Sequence, residues 1–167
     1  KKLVMVGSGV FDDKCAASIE TTRLTRLSEG DRVVAIALIE AINDPARKDK
    51  DSIMARMGKL WAKAEMYDPL TLDIEVLEVS YDINMRVMEG AKQLRHSGEL
   101  LELGKRIKCP VVAIHGDYDP HPAAGVREPL ARVVKDFRFI LLEKCGHFPW
   151  LERYARERFY DILKREI

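Results

Sequence analysis

Pro110-Val111-Val112-Ala113-Ile114-His115-Gly116-Asp117-Tyr118-Asp119-Pro120 is half strand and half turn. The apolar half has the uninterrupted character of a strand buried on both faces, and it is entered at a proline, where a missing amide does least harm. The other half, from His115, is crowded with turn formers. The pattern returns in Phe137-Arg138-Phe139-Ile140-Leu141-Leu142, followed by Glu143-Lys144-Cys145-Gly146-His147. Between the two lies a helix-type segment, residues 126–134, presenting Leu130, Val133 and Val134. A terminal helix from about Trp150 to Ile167 is expected to bury Leu151, Tyr154, Phe159, Ile162 and Leu163. Strand, loop and helix, repeated, is the pattern of a parallel sheet whose catalytic groups gather at the carboxyl ends of strands. Leu3-Val4-Met5-Val6, closed by Gly7-Ser8-Gly9, reads as one more strand buried on both faces.

The region between the strands is helical in spacing. Ile19, Leu24 and Leu27 share one face, and Ser28 is placed to cap the next helix, with Asp31 favouring its positive end. That helix presents Val33, Val34, Ala37, Leu38, Ala41 and Ile42 and stops at Asn43-Asp44-Pro45. Another begins near Asp51-Ser52, presents Ile53, Met54, Met57, Leu60, Trp61 and Ala64, and ends at Tyr67-Asp68-Pro69. Residues 70–79 carry no clear period and are open to reading as irregular, helical or a short strand. From Ser80 to Leu94 helical spacing resumes with Ile83, Val87, Met88 and Ala91, and a short helix from Glu99 to Arg106 follows.

The 167 residues are 47% hydrophobic and 33% charged, which suits a packed core and argues against disorder. Basic and acidic residues number 28 and 27, so the formal net charge of +1 gives no global reason to bind nucleic acid or an anionic membrane. No apolar run approaches the ~20 residues of a membrane span. Cys15, Cys109 and Cys145 are odd in number and widely spaced, which predicts free thiols in a reducing, cytoplasmic setting. Cys145 stands near His147, but sequence neighbours rarely meet in catalytic geometry, and a buried apolar role is the stronger expectation.

Two loops carry candidate chemistry. Asp119 follows one expected strand and His147 the next, so both fall at one edge of a parallel sheet. There a carboxylate can orient an imidazole that works as general base and acid for a nucleophile. Asp119 also has the plain reading of a turn former, and Asp117 is the alternate acid. Taken with KLVMVGSGVF at the front, the runs IHGDYDPHP and FILLEKCGHFPWLE resemble the C-terminal half of an α/β-hydrolase, and more narrowly prolyl-aminopeptidase-like and related small-molecule hydrolases. In that family the chain order is Ser, then Asp or Glu, then His.

The resemblance implies an α/β chain: residues 1–10 and 107–167 as a partial parallel sheet of about three strands, and residues 11–106 as an inserted all-helical lid. It implies Asp119 and His147 as acid and base, cleavage of an ester, amide or peptide bond in a small molecule or short peptide, and no cofactor. The family's G-x-S-x-G nucleophile motif is missing; the nearest run, Val6-Gly7-Ser8-Gly9-Val10, has valine at both outer positions. The expectation is therefore the C-terminal fragment of such an enzyme, inactive by itself. The opening at Lys1, directly ahead of a strand, points the same way.

Other readings stay open beside this one. Trp61, Met54, Met57, Tyr118, Phe148 and Trp150 are candidates for a substrate pocket, and the methionines and Trp61 equally for ordinary core. His115, Asp117, Asp119 and His121 alternate, and an extended backbone would set all four on one side as a metal site, although Gly116 and Pro120 predict a turn there. An uncovered edge at Leu3–Val6 favours self-association or a partner chain supplying further strands. The charges between Arg47 and Asp51 read as a solvated face.

Overall fold

The computed structural model describes residues 1–72 and 78–167. Half of the stretch without clear period, residues 73–77, lies outside the described residues. The chain is an α/β fold with a parallel sheet. Its strands are β1 (Leu3–Val6), β2 (Val111–Gly116) and β3 (Phe137–Leu142), in the order β1-β2-β3. Leu3 pairs with Val111 and Val111 with Phe137, so the carboxyl ends of all three strands point to the same edge.

Both faces of the sheet are covered, and the alternation of β2 shows how. Val111 packs with Val126, Leu130 and Val134 from α7 (Ala124–Val133) and the residue after it, together with Met5, Phe137 and Phe139. Val112 and Ile114, pointing the other way, meet Phe159, Ile162 and Leu163 of α8 (Arg156–Glu166). A central strand between two such layers has no polar side, which is why every β2 residue is buried. β1 is less enclosed than its sequence suggests. Leu3 is 38% exposed and the rest of the strand half-buried, because among the described residues β1 has a neighbour on one side alone.

Among the described residues six helices separate β1 from β2: α1 (Asp13–Ala16), α2 (Ile19–Arg26), α3 (Glu29–Asn43), α4 (Lys50–Glu65), α5 (Tyr81–His96) and α6 (Glu99–Gly104). Ser28 caps α3 as expected, its hydroxyl accepting from Asp31 N at 3.2 Å. The helices α2, α3 and α4 build a core of their own from Leu27, Ala35, Leu38, Ile42, Ile53, Leu60 and Ala64. Phe11, Cys15, Ile19 and Leu101, by contrast, pack into the layer between α7 and the sheet.

Three expectations change. In α3 the buried stripe is Ala35, Leu38 and Ile42, spaced by three and four, while Val33, Val34 and Ala37 turn to solvent. In α5 no residue is buried, and Ile83, Val87 and Met88 stay exposed, although their spacing is helical. The terminal helix is split. A 3₁₀ turn at Pro149–Leu151 precedes α8, and the backbone between them is diverted to bridge antiparallel to Pro69 through Glu152. Leu70 N donates to Leu151 O and Arg153 N to Asp68 O, at 2.8 and 2.9 Å. Leu151 O and Arg153 N, so engaged, are withdrawn from helical pairing, and Tyr154 is left 57% exposed.

Candidate active site

The loops after β2 and β3 lie back to back. Tyr118 N donates to Cys145 O at 2.8 Å, and Asp117 N to Leu142 O at 2.9 Å. The approach leaves no room for a side chain at Gly116, where a Cβ would stand 2.1 Å from Cys145 O. Asp117, the alternate acid, serves this junction: its carboxylate accepts from Cys145 N at 3.1 Å.

Asp119 is buried at the centre of three histidines. Its Oδ2 is 2.8 Å from His147 Nδ1, and its Oδ1 is 2.8 Å from His121 Nδ1 and 2.9 Å from His121 N. An ionised carboxylate only accepts, so both Nδ1 atoms are donors. Burial by itself would raise the Asp119 pKa. The hydrogen bonds from His121 and His147 and the nearby imidazole charge prevail and hold it well below the usual carboxylate range.

With Nδ1 committed to Asp119, His147 offers Nε2 as a basic lone pair, and its side chain keeps 22% exposure. Burial would lower the His147 pKa, but the Asp119 hydrogen bond and charge lift it above the ordinary value of 6.5. The ring packs edge-on against Phe148, with centroids 4.9 Å apart, and lies 4.9 Å from the His121 ring. Behind the pair, buried His115 donates Nε2–H to His121 O at 2.8 Å. Desolvation lowers the His115 pKa, which favours the neutral ring.

The carboxyl end of α4 is tied to both loops. His147 N donates to Glu65 O at 2.8 Å. Arg26 donates to Ala64 O at 3.2 Å and to Tyr118 O at 2.6 Å, and its guanidinium lies 3.7 Å from the Tyr118 ring centroid. Arg23, paired with Glu65, lies over Trp61. Sequence reading missed Arg26, Glu65 and Glu152, because each acts across a separation that no local pattern spans.

Of the pocket candidates, Tyr118 and Phe148 adjoin Asp119 and His147 in the chain, and Trp150 packs on Phe148 and Phe159. Met54, Met57 and Trp61 lie partly buried on the helical core. A cleft of about 500 Å³ bounded by Phe11, Cys15, Leu101 and Pro129 contains none of the candidates. Ser8 turns its hydroxyl to Gly9 O at 3.1 Å. Cys145 is fully buried, and burial pushes its thiol up to about 12, which removes it as a nucleophile.

The alternating set expected for a metal does not form. The turn at Gly116 sends Asp117 to Cys145 N and draws in His147 instead. The ligand atoms of Asp119, His121 and His147 lie within 4.8 Å of one another.

Among solved structures the chain is similar to VinJ (15% identity, TM-score 0.48), covering 99% of its own length and 58% of that chain. It is also similar to the proline iminopeptidase of Mycobacterium smegmatis (13% identity, TM-score 0.49), covering 98% of its own length and 55% of that chain. A third is Est816, described as an N-acyl homoserine lactone degrading enzyme (14% identity, TM-score 0.43, 99% and 57%). The chain spans little more than half the length of these structures. No protein-family model and no curated protein matches it.

Proposed function

We propose that the chain supplies the acid and the base of a serine-type hydrolytic site, in which Asp119 orients His147 and His147 activates a serine hydroxyl. The supporting observation is the 2.8 Å contact between Asp119 Oδ2 and His147 Nδ1 at the carboxyl edge of a parallel sheet. In this reading His147 Nε2 takes the serine proton as the oxygen attacks the carbonyl of an ester, amide or peptide. The imidazolium so formed is held by Asp119, and the proton then passes to the leaving group. No G-x-S-x-G occurs in the sequence, so the hydroxyl comes from outside these residues, and the substrate is a small molecule or short peptide.

A serine-reactive phosphonate tests this directly. The chain alone is expected to remain unlabelled, and the complete enzyme carrying it to label through serine. His147→Ala in that enzyme should slow labelling by about 10²–10⁴-fold, the usual worth of a general base. Unchanged labelling in the variant would end the proposal.

One observation favours a second reading, a divalent transition-metal site formed by Asp119, His121 and His147, whose ligand atoms cluster within 4.8 Å. Imidazole with carboxylate suits zinc, iron or manganese, and the metal would replace both Nδ1 protons. Metal analysis after dialysis against a chelator separates the readings: stoichiometric retained metal supports this one.

A further inference from the structure

We propose that Glu152 is a positioning residue for the acid–base pair, its buried carboxylate clamping the His147 loop to the segment that leaves α4. The inference rests on His147 being the base and names what holds that base in place. Glu152 is fully buried. Its Oε1 accepts from Gly146 N at 2.7 Å and from Tyr67 N at 2.8 Å, and its Oε2 accepts from Asp68 N at 2.9 Å. Three amides from two distant segments thus converge on one side chain. A carboxylate buried for packing alone would be replaced at lower cost by an apolar residue, so this arrangement marks a fixed junction.

The junction bears directly on His147. The peptide before it is gripped by Glu152 through Gly146, and its own amide is held by Glu65 O at 2.8 Å. The two surfaces meet so closely that a Cβ on Gly146 would stand 1.9 Å from Glu65 O and 2.7 Å from Glu152 Oε1. The imidazole stands on this backbone, and its Nδ1 must reach Asp119. Arg26 ties the Asp119 loop to the same end of α4 through Ala64 O and Tyr118 O. Acid loop and base loop are therefore referenced to one segment, with Glu152 as the link on the base side. Loss of that link frees the His147 backbone and, with it, the contact to Asp119.

Nuclear magnetic resonance on the chain tests the clamp, with amide hydrogen exchange and the His147 Nδ1 proton as readouts. Glu152→Ala is expected to speed exchange at Gly146, Tyr67 and Asp68 by about ten- to a hundredfold, the scale set by hydrogen bonds to a charged group. It should also broaden or abolish the low-field Nδ1 signal, while amides of β2 keep their protection. Glu152→Gln, which retains one carbonyl acceptor, should fall between, and Glu152→Asp should restore part of the signal. If Glu152→Ala does not fold, these two conservative variants decide the matter. An Nδ1 signal unchanged in both, with lowered thermal stability, would make Glu152 a stabilising residue only and overturn the proposal. The readout needs no substrate. A failed hydrolytic reading shows in phosphonate labelling and leaves these resonances alone, whereas a failed clamp leaves the effect of Asp119→Asn on them intact.

Discussion

Asp119 Oδ2 lies 2.8 Å from Nδ1 of His147 across 28 residues of sequence. The register of β2 with β3 makes the meeting possible, since Gly116 pairs with Leu142 and the two strands end level with each other. From that edge one short loop carries the carboxylate and the other the imidazole.

Asp119→Asn removes the charge but nearly keeps the shape. With the carboxylate gone, the Glu65 charge is left to oppose burial, and the His147 pKa is expected to fall from its raised value. Titration of the His147 ring protons by magnetic resonance measures the shift. A value still above the ordinary one would assign the elevation to another group.

The same pair gives stability two opposite dependences on pH. His147 has a folded pKa above its unfolded value of 6.5, so its contribution is complete below 6.5 and is lost as pH rises through the folded value. Asp119 has a folded pKa below its unfolded value of 3.8, so its contribution is present above 3.8 and is lost as pH falls through the folded value. Urea unfolding across pH should show both slopes, and Asp119→Asn should flatten both. Under the proposed hydrolytic reading, base action needs the neutral ring, so phosphonate labelling of a serine by that pair should rise with pH through the folded His147 value.

Gly116→Ala places a methyl group 2.1 Å from Cys145 O and 2.4 Å from Gly146 O, both backbone atoms. Backbone yields less readily than a flexible side chain, so the loss should reach or exceed about 3 kcal/mol, the upper part of the range for overpacking. Equilibrium denaturation gives the value. A loss below about 1 kcal/mol would show that the loops separate easily.

Arg26→Lys keeps the charge and loses the planar guanidinium. An ammonium lacks the flat face that lies over Tyr118 and the rigid placement of Nη1, which donates to both Ala64 O and Tyr118 O. The expected cost is about 1–3 kcal/mol in unfolding free energy, from one hydrogen bond and part of the ring contact. A loss below about 0.5 kcal/mol would argue against a part for Arg26 in holding the Asp119 loop.

Thiol accessibility separates the cysteines. Cys145 is fully buried with its pKa pushed up to about 12, while Cys15 and Cys109 are half-buried. Under native conditions a thiol reagent should modify Cys145 last and only at the rate of unfolding. Its early modification would contradict the packing of the β3 loop against β2.

Much of the architecture is local enough to read from residues in order. Phe137–Leu142 is a strand because β-branched, aromatic and leucine side chains can fill both faces of a sheet. Ser28 begins a helix because its hydroxyl reaches an amide three residues on. The faces of helices were less legible. Val33 and Ala35 are both apolar, and which of them is buried depends on where α4 lies. Ile83 and Val87 show that helical spacing fixes a stripe without specifying what covers it.

The composition of the site follows the same division. An Asp and a His after successive strands, each near a glycine, are visible in the sequence, because a parallel sheet must bring successive strand ends to one edge. What the sequence could not determine is which carboxylate turns inward and what secures the imidazole. Asp117 and Asp119 differ by two residues, yet the turn at Gly116 gives one to Cys145 N and the other to His147. Glu152, Glu65 and Arg26 enter through contacts that link α2, the end of α4 and the strand loops. Local propensity acts over a few residues, whereas these contacts exist only once distant backbone is packed together; tertiary structure alone assigns them.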